Sequence, residues 1–372
     1  MASAVSVNIL CTYKGLLANL SETSLDNALT MNCNKRDNGL NVNILREIAK
    51  HCHIKGRAKL SRKTLVFQLK KLYYPITIKT IVKPLKLDNI LSPSKKSIDK
   101  ESRILYESLM SKVQYSSVLN LSTVNGSPCL DIRALTRHHK KLRNSSVSLC
   151  NYGSSIFIRT SDQDLSTIHI MISGPDATPY KNGLYHFSLC MGSQFPSKPP
   201  TVMLLNTSNG RIRHNPNLYS TGKVCLSILG TWTGGQTWSS QRTLYDAIIG
   251  IQNYIFSENP YRNEPSFNTT NLSICKAYNH IIRLSTMIDG MLYMMNKPPP
   301  EFIDVVIFHF HGPKKYEILQ QIQQWKTELV TINHDLVTGY MKSGTYYSDK
   351  FRFIELFNST VSKINDLYEK IM

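Results

Sequence analysis

The chain has 372 residues, 41% of them hydrophobic, and 44 Lys and Arg against 25 Asp and Glu give a formal net charge of +19. This composition excludes collagen-like and low-complexity classes and leaves room for two or three domains with buried cores. No apolar run reaches the roughly 20 residues of a membrane-spanning helix, so no membrane partner is expected.

Met1-Ala2-Ser3-Ala4-Val5 lacks the basic start of a secretory signal. The expected location is therefore intracellular, in cytoplasm, nucleus or both. The eight cysteines (11, 33, 52, 129, 150, 190, 225 and 275) include no CxxC pair. That pattern predicts reduced thiols, no structural zinc and no resident metal.

Residues 1–34 carry weak periodicity and give no assignment. In 35–72, Leu40, Leu45, Ile48, Ala49 and Cys52 recur at helical spacing. Ile54-Lys55-Gly56 reads as a stop, and Ser61 caps a second run through Leu65, Val66 and Leu69. From Lys35 to Lys86 there are fourteen Lys and Arg against Asp37 and Glu47 alone. Charge so concentrated points to a polyanion, with Lys55, Arg57, Lys59, Arg62 and Lys63 as candidate nucleic-acid contacts. The helix–glycine turn–helix is similar to the SAP module of nucleic-acid-binding proteins; a plain basic helical hairpin is the equal alternative.

Residues 73–127 read as a proline-punctuated linker (Pro75, Pro84, Pro93) followed by a helix over 98–113. The main domain is placed at 128–270. It opens with a helix carrying Arg137-His138-His139-Lys140-Lys141, then strand-like runs at 155–159, 167–173, 184–190 and 201–206. Short turn signals between the runs, such as Asn182-Gly183, predict an antiparallel meander. An amphipathic helix follows through Leu244, Ile248, Ile251 and Ile255, and 271–372 is a helical extension. The fold class expected is α+β: a four-stranded antiparallel meander flanked by helices, with a helical C-terminal extension and a small helical N-terminal module.

The chemistry centres on Asn215-Pro216-Asn217-Leu218-Tyr219 and the run Gly222-Lys223-Val224-Cys225-Leu226. With Gly174-Pro175-Asp176, Phe195-Pro196-x-x-Pro199-Pro200 and Trp238 in order around it, this stretch resembles the active site of ubiquitin-conjugating (E2) enzymes. The match extends to Ser227, Thr231-Trp232 and Pro260-Tyr261-x-Asn263-Glu264-Pro265. There it is similar to the E2 domain of the giant hybrid E2/E3 enzymes that carry an inhibitor-of-apoptosis repeat.

The resemblance implies a thioester-forming nucleophile at Cys225 and transfer of ubiquitin from an activating enzyme E1 to lysines of protein substrates. No cofactor is implied, since E1 consumes the ATP. Such a nucleophile needs a thiol on a shielded but unburied loop. The resemblance gives Asn217 two roles, oxyanion donor or loop brace, and both stay open. Glu264, with Asn263 beside it, matches the gate that takes the proton of the incoming lysine. Arg137, Lys140 and Lys141 match the face that meets E1.

Ser197 and Ser240 stand where the family's ligase-docking loops usually carry an apolar residue and a proline, so the E3 partner is left open. Two alternatives remain: a nucleic-acid-binding scaffold with a catalytically silent E2-like fold, and an E2 for another ubiquitin-like modifier.

Overall fold

The structure, a computed structural model, describes residues 100–118, 121, 128–146, 149–161, 163–232, 237–264, 271–330 and 350–370. The basic segment 35–72, with Lys55, Arg57, Lys59, Arg62 and Lys63, lies outside the described residues. Helix α1 (Lys100–Val113) precedes strand β1 (Tyr115–Val118) and helix α2 (Ile132–Ser146). Strands β2 (Ile156–Ser161), β3 (Thr167–Ser173), β4 (Leu184–Cys190) and β5 (Thr201–Leu204) follow. Helix α3 (Leu244–Gly250) runs into a π-helical turn, Ile251–Ile255. The C-terminal annex holds α4 (Leu272–Ser285), a π-helical stretch (Thr286–Tyr293), α5 (Met294–Asn296), α6 (Ile303–His311) and α7 (Lys315–Leu329). Helix α8 spans Lys350–Lys370.

Strands β2 to β5 form the expected antiparallel meander, with Ile158 opposite Ile170, Ile172 opposite Tyr185 and Cys190 opposite Thr201. The sheet has five strands, however, not four. Strand β1 lies parallel to β2, Tyr115 opposite Ile158 and Val118 opposite Ser161. Tyr-Ser-Ser-Val is too short to show a period of two. Its pairing is also non-local, so a segment that reads as linker becomes a sheet edge.

Strand alternation sends two residue sets to opposite faces. Ile156, Ile158, Ile168, Ile170, Ile172, Tyr185, Phe187 and Leu189 join Leu135 and Leu142 of α2 and Leu244, Ile248 and Ile255 in one core. The other face presents Phe157, Arg159, His169, Met171, His186 and Ser188, and these are buried too. The annex covers them. The Arg159 guanidinium makes a bidentate pair with Asp304 at 2.9 and 3.0 Å and donates from Nε to the Glu301 carbonyl at 2.7 Å. Phe302 packs against the His186 ring at 5.3 Å. A β-carbon on Gly290 would lie 3.0 Å from Gly183 Cα, so glycine is what lets the π-helical stretch approach the β3–β4 turn.

Candidate functional site

The segment before Cys225 is held by its own asparagines. Asn215 Oδ1 accepts from the backbone N–H of Asn217 and Leu218, both at 2.7 Å. Its amide nitrogen donates to Tyr180 Oη and to the Ile255 carbonyl, each at 3.0 Å. This ties the turn to the core and to the end of the π-helical turn that follows α3. The chain then reverses at Gly222 (φ +85), where a side chain would be strained and would meet the Leu204 carbonyl at 2.6 Å. The reversal brings Cys225 back beside Asn217. The Cys225 N–H donates to the Asn217 carbonyl at 2.8 Å, and Asn217 Nδ2 donates to the Cys225 carbonyl at 2.8 Å.

Beyond Cys225 the chain turns through Ser227–Leu229 and folds back. Thr231 Oγ1 accepts from the Leu226 N–H at 2.9 Å and donates to the Val224 carbonyl at 2.7 Å. Cys225 is only 3% exposed. The expectation of an unburied thiol is therefore corrected: the Asn217 bonds fix Cys225, and the 226–232 flap folds back so that Thr231 bonds the backbone on both sides of it.

A cleft of about 570 Å³ lies between that flap and α3, lined among others by Asn217, Ser227, Trp232, Asp246, Asn253 and Asn263. Asn263 is fixed there, donating to the Ile255 carbonyl at 3.1 Å and accepting from Ser257 Oγ at 3.0 Å. Glu264 is half-buried and does not line the cleft. The face that does, on α3 and its two flanks (Arg242, Tyr245, Asp246, Ile249, Asn253), went unnoticed in the sequence. Its i, i+3/4, i+7, i+11 spacing was the available signal. Asp246 Oδ2 accepts from the Thr243 N–H and hydroxyl at 2.7 and 2.8 Å, the capping box that starts this helix.

The basic run on α2 splits by helical phase. His138 and His139 turn inward, His138 against the Phe195 ring at 4.7 Å and His139 onto the Leu165 carbonyl at 2.7 Å. Burial, followed by the charges of Arg137 and Lys141, lowers the His138 pKa to about 4. Arg137, Lys140 and Lys141 remain on the exposed face and line a shallow groove with Ile132 and Arg133. Ser197 and Ser240 are both exposed, and their loops are joined by Trp238 Nε1 donating to the Pro196 carbonyl at 2.8 Å. The structure thus places Asn217 and Asn263 on one cleft, with Cys225 bonded to Asn217 but outside the cleft lining, and Ser197 with Ser240 at a second place.

A model of the ubiquitin-conjugating enzyme family matches residues 139–289. Residues 139–289 are thus similar to a ubiquitin-conjugating enzyme domain. The antiparallel meander, the asparagine-braced cysteine loop and helix α3 are the parts that the match spans. A probable ubiquitin-conjugating enzyme of Caenorhabditis elegans is 36% identical over 182 residues, 47% of this chain and 25% of that protein. The human dual E2 ubiquitin-conjugating enzyme/E3 ubiquitin-protein ligase BIRC6 is 34% identical over 194 residues, 50% of this chain and 4% of its own length. A probable ubiquitin-conjugating enzyme of Acanthamoeba polyphaga mimivirus is 34% identical over 204 residues, 53% of this chain and 14% of that protein. The chain therefore spans a quarter or less of the length of these relatives. Among the described residues no helix is long and apolar enough to cross a membrane.

Proposed function

We propose that the chain is an E2 ubiquitin-conjugating enzyme that carries ubiquitin as a thioester on Cys225 and passes it to substrate lysines. The observation that carries this reading is the reciprocal Asn217–Cys225 pair at the edge of a cleft able to admit an amine. In the first step the Cys225 thiolate attacks the E1–ubiquitin thioester carbonyl, and the E1 thiolate leaves. In the second, a neutral lysine amine attacks the Cys225 thioester, Cys225 departs as thiolate, and the amine proton passes to a base, for which Glu264 is proposed. The reaction needs no cofactor on this chain, ATP being consumed by E1. Arg137, Lys140 and Lys141 offer the exposed basic face for E1. Ser197 and Ser240 offer a polar surface to a ligase, or leave substrate choice to the chain itself, as in a hybrid E2/E3. A reducing intracellular compartment suits the free thiols of Cys129, Cys150, Cys190, Cys225 and Cys275.

The burial of Cys225 favours one competing reading, a silent E2-like scaffold. Incubation with E1, ATP and ubiquitin, read on gels with and without reductant, separates the two. A reductant-sensitive adduct that Cys225→Ala abolishes is expected. Absence of an adduct with ubiquitin and with every other modifier and its E1 would leave the scaffold. An adduct with another modifier alone would reassign the cargo.

A further inference from the structure

On the sheet face away from Cys225, three side chains from three distant stretches of sequence converge on one point. They are His169 of β3, His186 of β4 and Glu301 of the Pro300–Phe302 turn in the annex. His169 Nδ1 and Glu301 Oε1 are 2.6 Å apart, His186 Nε2 and His169 Nδ1 3.0 Å, and His186 Nε2 and Glu301 Oε1 3.3 Å. A triangle with these edges admits a point about 2 Å from all three corners, which is the usual zinc–nitrogen and zinc–oxygen distance. With both imidazoles neutral, three electronegative atoms share at most two ring protons. A divalent cation would instead meet three lone pairs at once.

The surroundings fix the donors. The two imidazoles stand edge to face, centroids 4.9 Å apart, and Phe302 packs on the His186 ring. Arg159 grips the Glu301 carbonyl and the Asp304 carboxylate, which holds the turn carrying Glu301 against the sheet. Such outer contacts orient ligands in metal sites. His169 is fully buried, whereas the Glu301 side chain is 14% exposed and leaves a way in. The expectation of no metal rested on cysteine spacing, which is blind to a set assembled from residues 169, 186 and 301.

The geometry points to a transition-metal site, His169–His186–Glu301, that takes Zn²⁺ with water or the second Glu301 oxygen in the fourth position and clamps the annex to the sheet. Two imidazoles and a carboxylate are a known zinc set, and imidazole nitrogen selects zinc, nickel or copper over magnesium and calcium. The proposal is independent of the E2 reading.

The test uses the full chain, stripped with chelator and titrated with Zn²⁺ by calorimetry and with Co²⁺ by absorption. One equivalent of Zn²⁺ should bind and raise the melting midpoint. Co²⁺ should give visible bands without a thiolate-to-cobalt charge-transfer band, which separates this site from the cysteines. Glu301→Gln keeps size and hydrogen bonding, and His186→Gln removes a second ligand. Each should weaken binding at least roughly tenfold and cancel the shift in midpoint, losses of outer partners alone costing about 10–100-fold. Circular dichroism would check that both variants fold. Overturning results are no stoichiometric binding, binding that shows the thiolate band, or binding that neither substitution weakens.

Discussion

Asn217 donates to the Cys225 carbonyl and accepts from the Cys225 N–H, so its amide is already engaged with the loop that presents the thiol. Of the two roles open in the sequence, this geometry supports the brace. Asn217→Ala leaves the buried Cys225 carbonyl without its side-chain partner, at a cost of about 1–3 kcal/mol. Thioester loading and lysine discharge should both fall, with a lower melting midpoint. Loss confined to discharge, by the roughly 10²–10³-fold of a missing oxyanion donor, would restore the other role. Glu264 stands outside the cleft lining, one residue past Asn263. If it accepts the lysine proton, Glu264→Gln should displace the pH profile of discharge and leave loading untouched. An unchanged profile removes it from the mechanism. Cys225 and Asn217 were legible because a short local motif carries them. The burial of the thiol was not, since it depends on how the chain folds back after Leu226.

Thr231 is the clasp of the flap. Its hydroxyl bridges the Leu226 N–H and the Val224 carbonyl, on either side of Cys225. Thr231→Val keeps the shape and removes both bonds, each contributing about 0.5–1.5 kcal/mol net. Cys225 should then react with iodoacetamide several-fold to tenfold faster, measured by mass spectrometry of its peptide, with Cys190 as internal reference. An unaltered rate would mean that the flap is held elsewhere. The β3–β4 turn serves the annex as a socket. The Asn182 carbonyl accepts from His309 Nε2 at 3.0 Å, its Oδ1 from Lys314 Nζ at 2.9 Å, and its amide donates to Gln321 at 2.8 Å. Asn182-Gly183 was readable as a turn, but these partners lie more than 120 positions away and leave no local trace.

Lys314 is buried between the Tyr106 and Tyr152 rings, with Glu317, Asp176, Lys181 and Arg103 as its charged surroundings. Burial lowers its pKa to about 8, against the attraction of Glu317. An unfolded lysine holds its proton to about pH 10.4. Between these values the unfolded chain binds the proton and the native chain does not, so this residue's contribution to stability rises with pH, by up to about 1.4 kcal/mol per unit. Chemical denaturation of wild type and Lys314→Met at pH 8, 9 and 10 should show wild type gaining on the variant. A constant difference would place the native lysine pKa at its ordinary value.

At the scale of the whole molecule, the annex reaches the His214–Asn217 segment through a buried carboxylate. Asp289, in the π-helical stretch, accepts from His214 Nε2 at 3.1 Å and from the Ser208 hydroxyl, while its own carbonyl accepts from Asn206 Nδ2 at 3.3 Å. His214 Nε2 also faces the Asn206 carbonyl at 3.1 Å, and two acceptors at one nitrogen assign its proton there. Its Nδ1 meets no hydrogen-bond partner among the described residues, so the Nε2 contacts are the polar anchor of the side chain that opens His214-Asn215-Pro216-Asn217. The strands of the core were legible almost to the residue, Thr167–Ser173 and Leu184–Cys190 without correction, because each alternates over seven positions. This link was not legible, since Asp289 is one acid inside a helical pattern and His214 lies 75 positions before it. Asp289→Ala touches neither the thiol nor the cleft, yet it removes one of the two acceptors of His214 Nε2, leaving the Asn206 carbonyl, and the acceptor of the half-buried Ser208 hydroxyl, each bond contributing about 0.5–1.5 kcal/mol net. The melting midpoint should fall, and loading and discharge should fall together as the Asn215–Asn217 turn loses its backing. Asp289→Asn, which retains an acceptor oxygen, should recover much of both. If Asp289→Ala lowered the midpoint but left both steps at wild-type rates, the annex would be a stabilising cover for the sheet and nothing more.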